Sequence, residues 1–564
     1  MQLGKTSSPV KPLPATKFIV VVGGVLSGVG KGIVTSSIGR LLKSKGFKVT
    51  ALKIDPYLNV DAGTMRPSEH GEVWVTEDGG EIDQDLGNYE RFLDASLGKD
   101  NNLTTGKLYL SVIEKERKGE FLGKTVQPIP HLVDEVISRI ETASKGFDFC
   151  VIEVGGTTGD LENAIYLEAM RRMKWVKGLQ VAYAMVAHLP VISTIGEQKT
   201  KPAQHAVSSL RAAGILPDFF FARSRMPLDE VRKEKLVQQC GVPHSNIIDC
   251  PDLDSAYKVP LLFERQGLGE ALLRFFSLPA RESDLTGWRE FVSRLDSSED
   301  SVKIAIVGKY VEDGSTSSHE DVYLSVKEAL VHAGASTGVK VSITSIPSTH
   351  FDPGKLREFD GILVPGGFGA TGVEGKIAAA RFARENNVPY LGICYGMQLA
   401  IVEIARSLCG FADAHTSEVD RETKHPVIDL LPEQKSVDRK GGTMRLGSYS
   451  AELKKDSLVH SLYSELGLVE NNSVKERHRH RFEVNPSFIP ALEKAGVVFS
   501  GYHKRADGQT LQEFIEFPAN DFFVGTQAHP EFKSRPNKPS PLYYGFVRAA
   551  KNYALQRAGV PVSA

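Results

Sequence analysis

Three residues of this chain have the types needed for thiol chemistry: Cys394, His529 and Glu531. Cys394 sits in Gly392-Ile393-Cys394-Tyr395-Gly396, the glycine–x–nucleophile–x–glycine pattern of a strained strand-to-helix elbow, with Cys in place of Ser. Glycines flank such a nucleophile because the turn is crowded, and a helix starting just after it favours thiolate. A buried structural cysteine is the alternative for Cys394 taken alone. His529 and Glu531, in Gln527-Ala528-His529-Pro530-Glu531, supply a base for the thiol and an acid to orient the imidazole. Pro365-Gly366-Gly367-Phe368-Gly369 follows a predicted strand, and the amides of a Gly-Gly turn can form an oxyanion hole. Together, in this order, the motifs point to a thiol amidohydrolase.

A second cluster suits phosphate chemistry. Gly23-Gly24-Val25-Leu26-Ser27-Gly28-Val29-Gly30-Lys31-Gly32 follows the apolar run Phe18 to Val22 and precedes a helical pattern over Ile33 to Lys45. Glycines let backbone N–H groups approach phosphates, the helix N-terminus adds its positive end, and Lys31 neutralises charge. The spacing is a variant of the P-loop, one residue longer than usual and with Gly32 after the lysine; an ordinary glycine-rich turn is the alternative. Lys48 to Ile54 reads as the next strand, which puts Lys53 at a strand end as a phosphate contact or a solvated lysine. Asp83 and Asp85 lie in a polar run that alone would be a solvated acidic loop. Glu153, closing the buried strand Phe149 to Val154, changes that reading: with Asp85 it makes a two-carboxylate Mg²⁺ site. In Gly196-Glu197-Gln198-Lys199-Thr200-Lys201-Pro202 an extended chain would put Lys199 and Lys201 on one face, suited to a triphosphate or simply to solvent. In Arg477-His478-Arg479-His480-Arg481 alternation separates histidines from arginines, so arginine recognition of a carboxylate is more natural than a metal or nucleic-acid patch.

These residues need two α/β scaffolds to position them. Strand–turn–helix–strand at the P-loop is a βαβ unit, so a parallel sheet with ligands at the C-terminal strand ends is expected. A fresh α/β pattern begins after the polar stretch 281–301: strand Lys303 to Val307, helix near Asp321 to Ala333, then strands Lys340 to Ile346, Gly361 to Val364, Val388 to Ile393 and Phe522 to Thr526. The expected organisation is a disordered extension over 1–17, a domain over 18–280, a linker over 281–301 and a domain over 302–564. Across 564 residues, 41% hydrophobic and 24% charged content describes a globular chain, and a net charge of −1 gives no global attraction to nucleic acid or acidic membranes. Five scattered cysteines without a Cys-x-x-Cys favour a reducing compartment, and the polar start lacks the apolar core of a signal peptide, so a cytoplasmic location is expected. The apolar run Leu179 to Ile192, broken by His188 and Pro190, is too short for a membrane span.

Taken together the motifs resemble the CTP synthase family over nearly the whole chain. Supporting runs include Lys53-Ile54-Asp55-Pro56-Tyr57, His70-Gly71-Glu72-Val73, Leu86-Gly87-Asn88-Tyr89-Glu90-Arg91-Phe92, Leu122-Gly123-Lys124-Thr125-Val126-Gln127 and Gly442-Thr443-Met444-Arg445-Leu446-Gly447. The resemblance implies an N-terminal P-loop amidoligase of the dethiobiotin-synthetase-like fold and a C-terminal, flavodoxin-like class I glutamine amidotransferase. It implies that ATP phosphorylates O4 of UTP and that ammonia, released from glutamine and channelled internally, displaces the phosphate to give CTP. By motif position Gly28, Val29, Gly30, Lys31, Gly32, Ile33, Lys53 and Asp85 would contact ATP, with Asp252 and Leu253 near adenine, and Asp85 and Glu153 on Mg²⁺. Ser27, Gln127, Lys199, Thr200, Lys201, Pro202, Ala203, Gln204 and Lys235 would hold UTP, and Asp160, Leu161 and Glu162 would sense CTP in feedback inhibition. In the glutaminase, Gly367, Tyr395, Gly396, Met397, Gln398, Glu418 and Arg481 would bind glutamine, with the Gly367 and Tyr395 amides at the oxyanion. GTP is the family's activator, with Arg445 in a glycine-rich lid, and the family forms homotetramers; filaments are left open.

Four positions depart from the family pattern. Thr371 replaces an Arg, which puts the GTP response in doubt; Tyr395 replaces a Leu whose backbone N–H alone is needed; Ala528 replaces an aromatic and is expected to loosen the base; Asn88 replaces the His of bacterial members. Rival readings are another ATP-dependent glutamine amidotransferase, such as a cobyric-acid-type amidase, and a nucleotide-sensing scaffold without catalysis. The Gly-Glu-Gln-Lys-Thr-Lys-Pro run and the intact Lys31, Asp85, Glu153, Cys394 and His529 argue against both.

Overall fold

The computed structural model describes residues 16–192, 196–309, 320–430 and 442–560. Residues 1–15 of the expected extension lie outside them. The chain divides into two compact units, Met1–Val60 with Asp100–Leu285, and Asp61–Lys99 with Thr286–Ala564.

The first unit is built on a seven-stranded sheet in the order Ile247–Pro251, Phe219–Ser224, Val181–His188, Lys17–Gly23, Phe149–Val154, Val49–Asp55, Asn102–Thr104. Every pairing is parallel. Its central strands read as unbroken apolar runs because helices cover both faces, and Ile19, Val20 and Val21 are fully buried. Helices Val133–Ala143, Ala164–Trp175, Lys201–Ala212 and Glu230–Cys240 contribute Ile137, Met170, Val207 and Leu236 to one large core. Strand Lys17–Gly23 is central, with the next strand in sequence on one side of the sheet and Val181–His188 on the other. Its C-terminal end is therefore a topological switch point, where ligands of open α/β sheets bind.

The second unit has a nine-stranded sheet. Lys340–Pro347, Ser301–Gly308, Gly361–Val364, Tyr390–Ile393 and Phe523–Thr526 run parallel. The sheet continues through Thr510–Glu516, Val498–Lys504, Arg445–Leu453 and Ser473–His480 in antiparallel pairings. Helix Thr286–Ser297, within the stretch read as a linker, buries Trp288 and Phe291. Residues 61–99 add the hairpin Val73–Val75 with Glu81–Asp83 and helix Asp85–Leu93 to this unit. They are held by arginines: Arg477 donates to Glu77 Oε1, Glu90 Oε2 and Val75 O at 2.9, 2.9 and 3.0 Å. Arg479 reaches Glu81 Oε1 at 2.8 Å and Gly63 O at 3.1 Å. Among the described residues no helix is long and apolar enough to cross a membrane.

Candidate functional site

In the first unit the glycine-rich turn leaves strand Lys17–Gly23 and enters helix Lys31–Ser44 through Gly30, whose φ of 90° lies in the left-handed region open to glycine. Ser27 and Gly28 are exposed at the turn's tip, Val29 anchors it inside, and Gly32 and Ile33 form the first helical turn. The Lys31 ammonium donates to Gly156 O at 2.8 Å. A Cβ on Gly23 would lie 2.7 Å from that Nζ and 3.0 Å from Gly156 O, so the glycine makes room for the lysine. Lys53 and Glu153 are register partners on adjacent strands, and their side chains form a buried pair at 2.9 Å. Lys53 Nζ also lies 4.0 Å from Asp55 Oδ1 at the same strand end. Arg223, which belongs to no motif, comes within 3.8 Å of where a Gly30 Cβ would stand, placing a guanidinium beside the glycine-rich turn. It pairs with Asp252 at 2.5 Å; Leu253 next to it is exposed.

Asp160 caps its own turn, accepting from Thr157 N at 2.5 Å and Thr157 Oγ1 at 2.7 Å, with Leu161 and Glu162 exposed beyond it. The alternation expected of Lys199 and Lys201 does not occur. Pro202 favours a helix start, so the chain turns into helix Lys201–Ala212 after strand Glu197–Gln198. Lys199 is paired with Glu197 at 2.7 Å, Lys201 is exposed, Thr200 accepts from Gln204 Nε2 at 3.1 Å, and Ala203 is buried. Gln127 and Lys235 are exposed. Asp85 opens helix Asp85–Leu93 in the second unit, its N–H donating to Asp83 Oδ1 at 2.8 Å, whereas Glu153 belongs to the first unit. As hard oxygen donors both fit Mg²⁺, which takes one or two carboxylates and completes its shell with phosphate oxygens and water.

The second unit holds the thiol. Cys394 has φ 51° and ψ −102°, a strained backbone for a non-glycine residue, and forms the N-cap of helix Tyr395–Leu408. The flanking glycines are obligatory. A Cβ on Gly396 would fall 2.0 Å from Val364 O, and one on Gly392 would fall 2.8 Å from the Gly396 carbonyl carbon. His529 and Cys394 flank the same turn, the ring Cε1 at 2.8 Å and the Cys394 Cβ at 3.7 Å from where a Gly366 Cβ would stand, and His529 Nδ1 lies 2.7 Å from Glu531 Oε1. Burial disfavours the imidazolium, but the charges of Glu531 and Cys394 outweigh it and push the His529 pKa up to about 10. The arrangement therefore favours a protonated imidazole at neutral pH. Ala528 does not leave the base loose: the ring stacks on Phe532 at 5.2 Å and 13°, and His529 N donates to Arg477 O at 2.7 Å.

A cavity of about 870 Å³ opens over Cys394 and His529, with Gly367, Glu418 and Arg481 among its walls. Arg481 donates to Thr443 Oγ1 at 2.8 Å, and Glu418 accepts from Gly369 N at 2.7 Å. Burial raises the Glu418 pKa. Gln398 is enclosed, with Nε2 on Phe482 O at 2.9 Å and Gln527 Oε1 at 3.1 Å, and Met397 is buried beside it. The Tyr395 phenol adds a tie that a leucine could not make, donating to Gly369 O at 3.0 Å. Arg445 is buried between two carboxylates, 2.6 Å from Glu513 and 3.2 Å from Glu483; residues 431–441 before it lie outside the described residues. Asn88 accepts from Arg91 at 2.8 Å, and Thr371 is exposed.

Comparison with known proteins covers both units. A family model described as CTP synthase N-terminus matches residues 17–278, and one described as Glutamine amidotransferase class-I matches residues 319–549. The chain is 52% identical to the CTP synthase of Pyrococcus abyssi, the match covering 96% of this chain and 99% of that protein. It is 52% identical to the CTP synthase of Methanocaldococcus jannaschii, over 95% of this chain and 98% of that one. A solved structure of the Trypanosoma brucei CTPS glutaminase domain with bound acivicin is 36% identical, covering 44% of this chain and 94% of that one, with a TM-score of 0.40.

Proposed function

The chain belongs to the CTP synthase family, and from that premise we propose that it makes CTP from UTP, ATP and glutamine by two linked reactions. The observation that carries the glutaminase half is Cys394 on its strained elbow, facing the same cavity as a His529 that Glu531 holds at 2.7 Å. Cys394 Sγ, its proton passed to His529, attacks the side-chain carbonyl carbon of glutamine, and the amides of Gly367 and Tyr395 receive the developing oxyanion. His529 passes its proton to the departing nitrogen, so ammonia leaves neutral and a thioester remains. Water, deprotonated by His529, then releases glutamate. Arg481 and Glu418, on the cavity wall, fit the carboxylate and the ammonium of the bound amino acid.

In the nucleotide half, the turn Ser27 to Ile33 and Lys31 hold the ATP phosphates. Ser27, Gln127, Lys199 to Gln204 and Lys235 hold UTP, and Asp252 and Leu253 lie near adenine. Glu153 and Asp85 would hold Mg²⁺, which supplies charge neutralisation on the transferring phosphoryl group. O4 of UTP takes the γ-phosphoryl group of ATP, leaving ADP. Ammonia, kept inside the protein where it stays unprotonated, adds at C4, and phosphate departs with the O4 oxygen. CTP acts as feedback inhibitor through Asp160, Leu161 and Glu162. GTP activates the glutaminase, with a weaker response than in relatives carrying Arg where Thr371 stands, and Arg445 contributes to its lid. The working form is a homotetramer.

The test uses UTP labelled with ¹⁸O at O4. The proposal predicts that the label appears in inorganic phosphate, with ammonium or glutamine as nitrogen source. Label released to water would overturn the phosphorylated intermediate.

A further inference from the structure

Helix Val373–Glu385 sends Lys376 back beneath the Pro365-Gly366-Gly367 turn. Its side chain is fully buried, and among the described residues its ammonium makes one hydrogen bond, to Pro365 O at 3.4 Å. The same Nζ stands 3.3 Å from where a Gly367 Cβ would be and 5.3 Å from the centre of the Tyr395 ring. It therefore adjoins both residues whose amides face the proposed oxyanion. Lys309 donates to Phe368 O of the same loop, and the Glu418 carboxylate acts on Lys376 from the cavity wall.

A buried, barely bonded ammonium is expensive, and methionine fills such a space without that penalty. Burial, with the Lys309 charge, lowers the Lys376 pKa to about 7, whereas Cys394 and Glu418 act to keep it charged. A lysine kept there against its solvation needs a task that an apolar side chain cannot perform.

We infer that Lys376 is a positioning residue of the glutaminase: through Pro365 O and its buried charge it fixes the Gly367 amide and biases the oxyanion hole toward negative charge. Lys376 does not touch substrate. It acts when charge develops on the carbonyl oxygen, so its loss changes kcat more than KM. The inference rests on Cys394 being the nucleophile.

The test compares Lys376→Met and Lys376→Gln with the parent in the full-length protein. Removing one direct oxyanion donor costs about 10²–10³ in kcat, and a residue acting through a donor is expected to cost about ten- to a hundredfold. The expected result is that fall in kcat for glutamine hydrolysis, with KM for glutamine within about threefold. Iodoacetamide alkylation of Cys394 at pH 8, which needs no oxyanion hole, stays within about threefold. Ammonium-dependent CTP formation and thermal melting report folding, and Lys376→Met melts no lower than the parent. Two results would overturn the inference: kcat within about twofold of the parent, or kcat, KM, alkylation and melting temperature all declining together as a packing defect would produce. Cys394→Ala is assayed alongside. If it still hydrolyses glutamine, the nucleophile assignment fails; if it is inactive while both Lys376 variants are unimpaired, the Lys376 inference alone fails.

Discussion

Replacing Glu531 by Gln isolates the electrostatic part of the thiol site. The substitution keeps the shape of the side chain, and an amide oxygen can still accept from His529 Nδ1, now 2.7 Å away. What disappears is the charge that, with Cys394, overcomes burial and holds the His529 pKa near 10. Without it burial gains weight and the imidazolium loses stability. A hydrogen bond to a charged group contributes about 1.5–3 kcal/mol. At roughly 1.4 kcal/mol per factor of ten, kcat/KM for glutamine falls about ten- to a hundredfold. Losing that charge lowers the His529 pKa, so the imidazole gives up its proton at lower pH than in the parent. The His529 ring titration, followed by NMR from pH 5 to 11, should show its midpoint moving downward in Glu531→Gln. Ammonium-dependent CTP formation should be unchanged, since no thiol takes part in it. A midpoint that stays in place, with kcat/KM within about twofold of the parent, would refute the role assigned to Glu531.

Other perturbations follow from single distances. Gly396→Ala drives a Cβ to 2.0 Å from the Val364 carbonyl oxygen, a backbone atom that cannot swing aside. Overpacking of this kind costs about 3 kcal/mol, so urea unfolding should show that loss together with abolished glutaminase; parent-like stability would contradict the close approach of Gly396 to that carbonyl. Lys31→Ala removes the cation of the glycine-rich turn, and CTP formation should be lost with glutamine and with ammonium alike; retention with either source counts against the proposed ATP contact. Arg477→Met removes the ion pairs to Glu77 and Glu90 and leaves Glu90 with Arg535 and the Leu97 N–H. Breaking a buried ion pair costs about 3–5 kcal/mol, which differential scanning calorimetry would register as a lower melting temperature, and an unshifted melt would show the cluster to be dispensable.

The local motifs were legible because their chemistry and their geometry share a few consecutive residues. Gly392 and Gly396 are needed by contacts within the elbow and with the neighbouring strand, and Gly30 by its own backbone angle, so the glycines announce both turns. Alternation along Ser473–His480 correctly separated arginines from histidines, and carboxylates were the right partners for Arg477 and Arg479. That these are Glu77, Glu90 and Glu81, some four hundred positions earlier in the chain, was beyond a local reading. So was the grouping of residues 61–99 with the second unit, because the segment continues the chain of the first unit's βαβ pattern. Alternation failed at Lys199 and Lys201, where Pro202 imposed a helix. Lys376 and Arg223 carry no motif at all; their proximity to the two turns depends on how a helix and a strand pack in three dimensions.

The central claim is that one chain makes CTP with nitrogen taken from glutamine at Cys394. The most direct measurement is CTP formation by the parent and by Cys394→Ala, each given UTP, ATP and Mg²⁺ with either glutamine or ammonium. The account predicts that the parent uses both nitrogen sources and that the variant uses ammonium alone. CTP formed by Cys394→Ala from glutamine, or no CTP from the parent with either source, would contradict it.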